Sequence, residues 1–350
     1  MKRFVISAAV LATVSVAAQG ALAADFYKGK SVTVTVGSSP GGGYDGYARF
    51  LARYWGNFIP GKPKFIVKNL PGANSLKATN FIYNVAPKDG THIAGIQNGI
   101  AFEPLFKIMG KGRDARFDPM KIGWIGATTK EISVMVVWHK TPFKSVKDLI
   151  GKEVLVGASG HQSSYAIFPR LMNATMGTSI RVITGYNGTS GVTLALERGE
   201  IHAMSGWDFS SLQSRKGQWL KDKKVRVILQ FGNKKHPRMP DVPLASEFTT
   251  NPANRDVVNL ISARQDIGRP YVAPPNLPAG RLETLRTSYQ AMLHDKAVLK
   301  EAGRLRIEIN PQTAAHCLEV IRKAYASSPN VVAKARKILS TKQKGPKKKK

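Results

Sequence analysis

The chain has 350 residues, with 53 Lys plus Arg against 22 Asp plus Glu, a formal charge of +31. Its single cysteine, Cys317, excludes an internal disulfide framework, so the fold must rest on its core; in its helical context that thiol reads as a small buried apolar group. Most of the basic excess remains once Lys2, Arg3 and the lysines of the last nine residues are set aside, and it reads mainly as a solvated basic face, one also suited to anionic ligands or an anionic membrane surface.

Met1-Lys2-Arg3, an apolar run from Phe4 to about Ala18 and the small residues Ala21-Leu22-Ala23 form the pattern of a secretory signal peptide, with cleavage expected after Ala23 or Ala24. The run is shorter than the ~20 residues a bilayer span needs, and no second such stretch follows. The expectation is an exported, periplasmic protein without a nucleic-acid partner. About 325 residues remain, enough for two domains.

Ser31–Val36 is a β-branched run and reads as a strand, followed at once by the turn Ser38-Ser39-Pro40-Gly41-Gly42-Gly43 and a helix from Tyr44. Strands at 63–68 and 91–96 bracket a helix from Leu76 to Val85. Strands follow at 121–125, 134–138 and 153–156, then the turn Gly157–Ser164 and a helix to about Met176. Further strands are expected at 180–183, 201–204 and 225–230, with a helix from Val192 to Arg198. Beyond Pro270 the pattern turns helical, with helices at 280–293, 296–303 and 312–326, and residues 342–350 read as a disordered basic tail.

Alternating strand and helix implies an α/β architecture with mainly parallel sheets and flanking helices. Two similar blocks, with C-terminal helices that have no sheet of their own, imply a chain that crosses between two lobes near residues 130 and 233 and hinges there. The expected organisation is signal peptide 1–23, lobe one 24–129, lobe two 130–233, lobe one again 234–340, and tail 341–350.

Several motifs are rejected on their context. Gly41-Gly42-Gly43-Tyr44-Asp45-Gly46 matches the dinucleotide fingerprint, but the next strand ends Val67-Lys68-Asn69 without the acid that holds ribose. Gly56–Lys62 resembles the start of a phosphate-binding loop but is followed by Pro63, not Ser or Thr. No nucleophile elbow, zinc helix or cysteine cluster is present, so neither enzyme activity nor a cofactor is expected. Two turns remain, Ser38–Asp45 and Ser159–Ser164, each joining a strand to a helix. Such junctions expose unpaired backbone N–H groups at a helix N-terminus, and glycine lets an anion approach them. The competing reading makes the serines simple N-caps. Of the seven histidines, only His161 lies in one of these turns.

At Pro40-Gly41-Gly42-Gly43-Tyr44-Asp45 the sequence resembles the Bug family, the periplasmic receptors of tripartite tricarboxylate transporters. Asn69-Leu70-Pro71-Gly72-Ala73 through Ala78, Ala86-Pro87-Lys88-Asp89-Gly90, Trp124-Ile125-Gly126, Gly185-Tyr186-Asn187-Gly188, Pro240-Asp241-Val242-Pro243 and Pro270–Pro274 follow in family order. The resemblance implies a two-lobed Venus-flytrap fold and a small carboxylate ligand delivered to membrane permease subunits by a monomeric receptor. The same lobes would also suit a sensor docking on a membrane kinase. Carried over, the ligand-binding residues are Ser38, Gly42, Gly43, Thr128, Ser163, Ser164, Asn187 and Asp208, with Ser159 in the second turn. Asp45 is expected to support its helix start. Tyr44, His161 and Gln162 depart from the family pattern and are expected to shape ligand choice towards a larger or aromatic acid.

Overall fold

The computed structural model describes residues 26–108, 112–249 and 251–341. The expected signal peptide and the lysine tail lie outside the described residues.

Strand β1 (Ser31–Val36) buries Val32, Val34 and Val36, and pairs in parallel with β2 (Lys64–Asn69) and β3 (His92–Gly95). Helix α1 (Gly43–Tyr54) covers it with Tyr47, Ala48, Phe50 and Leu51, the three-and-four spacing of a core-facing stripe. Helix α2 (Leu76–Asn84) links β2 to β3, and a short helix α3 (Glu103–Phe106) follows. Strand β4 (Gly123–Thr129) ends this run, and after three residues β5 (Ser133–Trp138) begins in a different sheet. There β6 (Glu153–Ala158), α4 (Ser164–Met176), β7 (Ser179–Thr184), α5 (Gly188–Glu197) and β8 (Ala203–Asp208) repeat the strand–helix pattern. Helix α6 (Phe209–Lys221) and β9 (Val225–Phe231) complete the second lobe. The chain returns through α7 (Pro252–Ser262) to β10 (Gly268–Ala273), then α8 (Ala279–His294), α9 (Lys296–Arg304), β11 (Gln312–Thr313), α10 (Ala314–Tyr325) and α11 (Pro329–Ser340).

The first sheet has the order β11-β4-β10-β3-β1-β2 and the second β7-β6-β8-β5-β9. This is the expected two-lobed α/β architecture, with mixed rather than mainly parallel pairing. Parallel pairs occur where a helix returns the chain, as in β1–β2 and β6–β7. The strands next to the crossings, β5 and β10, arrive without such a crossover and pair antiparallel on both sides.

Strand β10 lies in the middle of the first sheet, every residue buried, where the sequence reading had no strand. Its composition, Gly-Arg-Pro-Tyr-Val-Ala, carries no period-two alternation because both faces are covered. Helices α6, α7 and α11 also went unforeseen. The last of these packs on α3 and α7 and also on α4 of the second lobe. Arg170 of α4 donates to the carbonyl oxygen of Leu339 and, at 3.4 Å, to that of Thr341, covering carbonyls that α11 leaves unpaired at its C-terminus. One apolar core consequently runs through both lobes.

Gly206 in β8 has φ +73°, and a Cβ there would run into the Ser164 carbonyl oxygen and, at 2.7 Å, the Phe168 ring. Gly206→Ala combines left-handed strain with a backbone clash and should lower unfolding free energy by about 3 kcal/mol; urea denaturation with an unchanged midpoint would refute this account of the β8–α4 contact.

Candidate functional site

The strands β1, β6, β7 and β8 all end on one side, and each releases its chain into a helix at a single cleft of about 1210 Å³. The first wall is the turn Ser38–Tyr44. Gly42 is the N-cap of α1 and supplies no side-chain cap. Asp45 instead accepts from the Gly41 N–H (2.9 Å), from Asn69 Nδ2 (2.8 Å) and from Arg49 (3.0 Å), so it ties the turn together and leaves the cleft to the backbone. Burial works against ionisation of Asp45, but these donors outweigh it and hold its carboxyl below the usual range.

The opposite wall belongs to the second lobe. Ser163 is the N-cap of α4, yet its hydroxyl donates to the Gly160 carbonyl (2.8 Å) and caps nothing. Asn187, at the start of α5, also makes no side-chain cap. The N-cap reading of the serines therefore fails at both turns, and three helix N-termini reach the cleft without a side-chain acceptor. Each contributes the equivalent of roughly half a positive charge.

Of the expected residues, Ser38, Gly42, Gly43, Tyr44, Ser159, His161, Gln162, Ser163, Ser164, Asn187 and Asp208 line this one cavity. Thr128 does not, and this corrects its placement. It is fully buried in the first lobe, its hydroxyl 2.7 Å from Tyr289 Oη and donating to the Arg269 carbonyl. The carry-over from the family pattern misled there: β4 points that side chain into the core. Gln162 reaches across the cleft and donates to the Ile108 carbonyl at 2.5 Å. Tyr44 is a wall whose hydroxyl accepts the Asn98 N–H (3.2 Å).

Asp208 is the one carboxylate among the described lining residues, against Lys107, Arg113, Arg170 and Arg269. It accepts from Ser133 Oγ (2.9 Å) and faces Arg269 Nη2 at 3.4 Å. Arg269 is what the sequence reading missed. It is 1% exposed, yet its guanidinium borders the cleft floor beneath Gly43. Its Nη2 also faces Glu131 (3.4 Å) and donates to Ser210 Oγ (2.9 Å) and Ser211 Oγ (2.8 Å), while Tyr44 and Tyr47 cover its faces. Its Nη1 and Nε have no protein partner, nor do Ser38 Oγ and Gln162 Oε1, so unmet donors and acceptors gather around this cavity. The Asp208 carboxylate, the foremost of the charges around it, offsets the cost of burial and keeps Arg269 charged. Arg215 of the second lobe donates to the Gly42 carbonyl (2.8 Å), so the two lobes meet at this corner.

Burial, and then the Asp208 charge, push the Glu131 carboxyl well above its ordinary range, against the pull of Arg269. A carboxyl that keeps its proton in the folded state and releases it on unfolding makes stability fall as pH rises from 4.5 towards about 7. Glu131→Gln, which cannot ionise, should flatten that fall; thermal melts across this range in which variant and parent decline in parallel would contradict it.

No family model matches the sequence, and no curated protein sequence matches it. Solved structures do. Periplasmic binding protein BugD superposes with a TM-score of 0.67 at 19% identity, covering 91% of this chain and 100% of that chain. R. palustris Rpa4515 with adipate gives a TM-score of 0.67 at 18% identity, over 89% and 97% of the two chains. MatC from Rhodopseudomonas palustris with bound malate gives 0.61 at 15% identity, over 89% and 99%. The chain thus has the two-lobed fold of the Bug and TctC type of periplasmic solute-binding protein.

Proposed function

We propose that this protein is an extracytoplasmic solute receptor, a binding protein rather than an enzyme, which captures a small organic acid by closing its two lobes. One observation carries the reading: two glycine- and serine-rich turns, on opposite lobes, face each other across one cleft and present uncapped helix N-termini to it. Such N–H groups stabilise a carboxylate without the heavy desolvation cost of a dedicated buried counter-ion. Closure then stabilises the complex because a ligand touching both walls gains contacts that neither lobe offers alone. The adipate and malate bound by proteins of the same fold support a di- or tricarboxylate ligand. The signal-peptide pattern at Met1–Ala23 supports export to the periplasm, and the family resemblance supports a monomer that hands its ligand to tripartite tricarboxylate-type permease subunits.

The binding residues in this reading are Ser38, Gly42, Gly43 and Tyr44 on one wall, and Ser159, His161, Gln162, Ser163, Ser164, Asn187 and Asp208 on the other. Titration calorimetry against adipate, malate, citrate and aromatic dicarboxylates should give saturable heat with at least one of them. Ser38→Ala combined with Ser164→Ala should weaken that acid about tenfold, the loss expected for hydrogen bonds to a charged group. Silence across the whole panel, with the protein folded by circular dichroism, would end the carboxylate reading.

A further inference from the structure

A second cleft, of about 870 Å³, lies between the lobes on the other side of α6 and shares no lining residue with the first. Helix α6 separates them: Asp208 at its start and Ser211 face the first cleft, while Phe209, Gln213, Gly217 and Leu220 face the second. The floor is apolar, built from Ile132, Phe209, Leu220 and Ile307. The rim is basic.

The acids of this cleft are all engaged. Glu131 faces inward to Arg269 and Ser210. Asp266 takes Lys130 (3.4 Å) and Asn233 (2.7 Å), and Glu308 lies 3.4 Å from His236 Nε2. Two of the cations are also occupied, Lys235 by Glu247 (3.3 Å) and Arg238 by Gln213 (3.0 Å). Lys221, Lys234 and the guanidinium of Arg306 have no hydrogen-bond or ion-pair partner among the described residues. They come from three separate elements, the end of α6, the return crossing and the loop after α9.

Arg306 occupies a costly place. The Ile307 N–H bonds the Ala302 carbonyl (2.8 Å) and the Arg306 N–H bonds that of Gly303 (3.1 Å), which is the Schellman closure of a helix. Its left-handed position, φ +57°, ordinarily belongs to glycine. An arginine stands there instead, and its side chain borders this cleft.

We propose that the second cleft is a binding site for an organic anion with an apolar body, such as a medium-chain fatty acid or an aromatic monocarboxylate. The apolar floor takes the body, and Lys221, Lys234 and Arg306 take the acid group. Burying a hydrocarbon body supplies most of the affinity, and the free cations select its charge. The inference does not rest on what the first cleft binds, because the two share no lining residue.

Anilinonaphthalene sulfonate, an apolar fluorescent anion, is the probe. Titrated into the full chain, it should give a saturable rise that octanoate displaces and octylamine does not. Lys234→Gln with Arg306→Gln should weaken it about tenfold. Both residues are exposed, so the variant should keep the parent melting temperature. Crystals of the unaltered protein soaked in para-bromobenzoate should place bromine against Phe209 and Ile307, whatever the variant does. Displacement by octylamine equal to that by octanoate, a probe affinity untouched by the substitutions in a folded variant, or bromine confined to the first cleft would each overturn the proposal.

Discussion

A guanidinium that is 1% exposed needs its charge balanced inside the protein, and that requirement organises the centre of this molecule. Arg269 sits on the central strand of the first sheet. Its partners are Glu131, in the first crossing, and Asp208, Ser210 and Ser211, where β8 passes into α6 of the second lobe. Separating the lobes at this corner would strip a buried cation of Asp208 and both serines. The cluster therefore fixes how the two lobes approach each other and where the floor of the cleft lies. It also explains the glycines above it. A Cβ on Gly43 would collide with Ser211 Oγ and lie 3.2 Å from Arg269 Nη1, so glycine there is required by lobe contact as well as by access to an anion. Arg269 itself has φ +55°, a strain tolerated because the surrounding partners over-determine its position.

What the sequence made legible, and what it did not, follows from whether a signal is local. β-Branched runs and the Gly/Ser turns are local, so β1, β6 and both cleft walls could be placed from composition. Arg269 could not, because its meaning depends on residues at 131, 208, 210 and 211, brought to it only by folding. Strand β10 hid for a related reason: a strand covered on both faces has no alternation to read, and its Arg-Pro pair argues against a strand at all. The unforeseen helices are a different case. Asn251 accepts from the Ala253 and Asn254 N–H groups with Pro252 behind it, and Ser328 accepts from the Val331 N–H with Pro329 behind it. Cap followed by proline is a helix start readable from sequence alone. Thr128 fails the other way, since a match to a family pattern does not say which face of the strand a side chain takes.

The electrostatics of the first cleft separate attraction from selection. Its one described carboxylate, Asp208, is balanced by Arg269, so the field a ligand meets comes from helix N-termini and from Lys107, Arg113 and Arg170. Backbone N–H groups bind a carboxylate whatever carries it. On the proposed reading, discrimination among acids falls to the walls, namely Tyr44, His161, Tyr165 and Tyr186, and to Gln162, whose amide already spans the cleft to Ile108. Tyr165 is held by a 2.7 Å hydroxyl contact with Thr189 and Tyr44 by Asn98, which makes these walls firm rather than adaptable.

Helix α6 sets the relation between the two clefts. It forms a wall of both, and Glu131 and Arg269, paired at 3.4 Å, border the second and the first respectively. The helix is kinked at Lys216, where φ is −133°, with Gly217 next in the chain. Up to the kink it is bound to the first lobe, through Arg269 at Ser210 and Ser211 and through Arg215 at the Gly42 carbonyl. Beyond it, Lys216 pairs with Glu197 at 2.9 Å and stacks over Trp219, within the second lobe. A break in the helical hydrogen-bond ladder is where a helix bends most cheaply. Because α6 is a shared wall, a shift of this helix that narrows one cleft acts on the other.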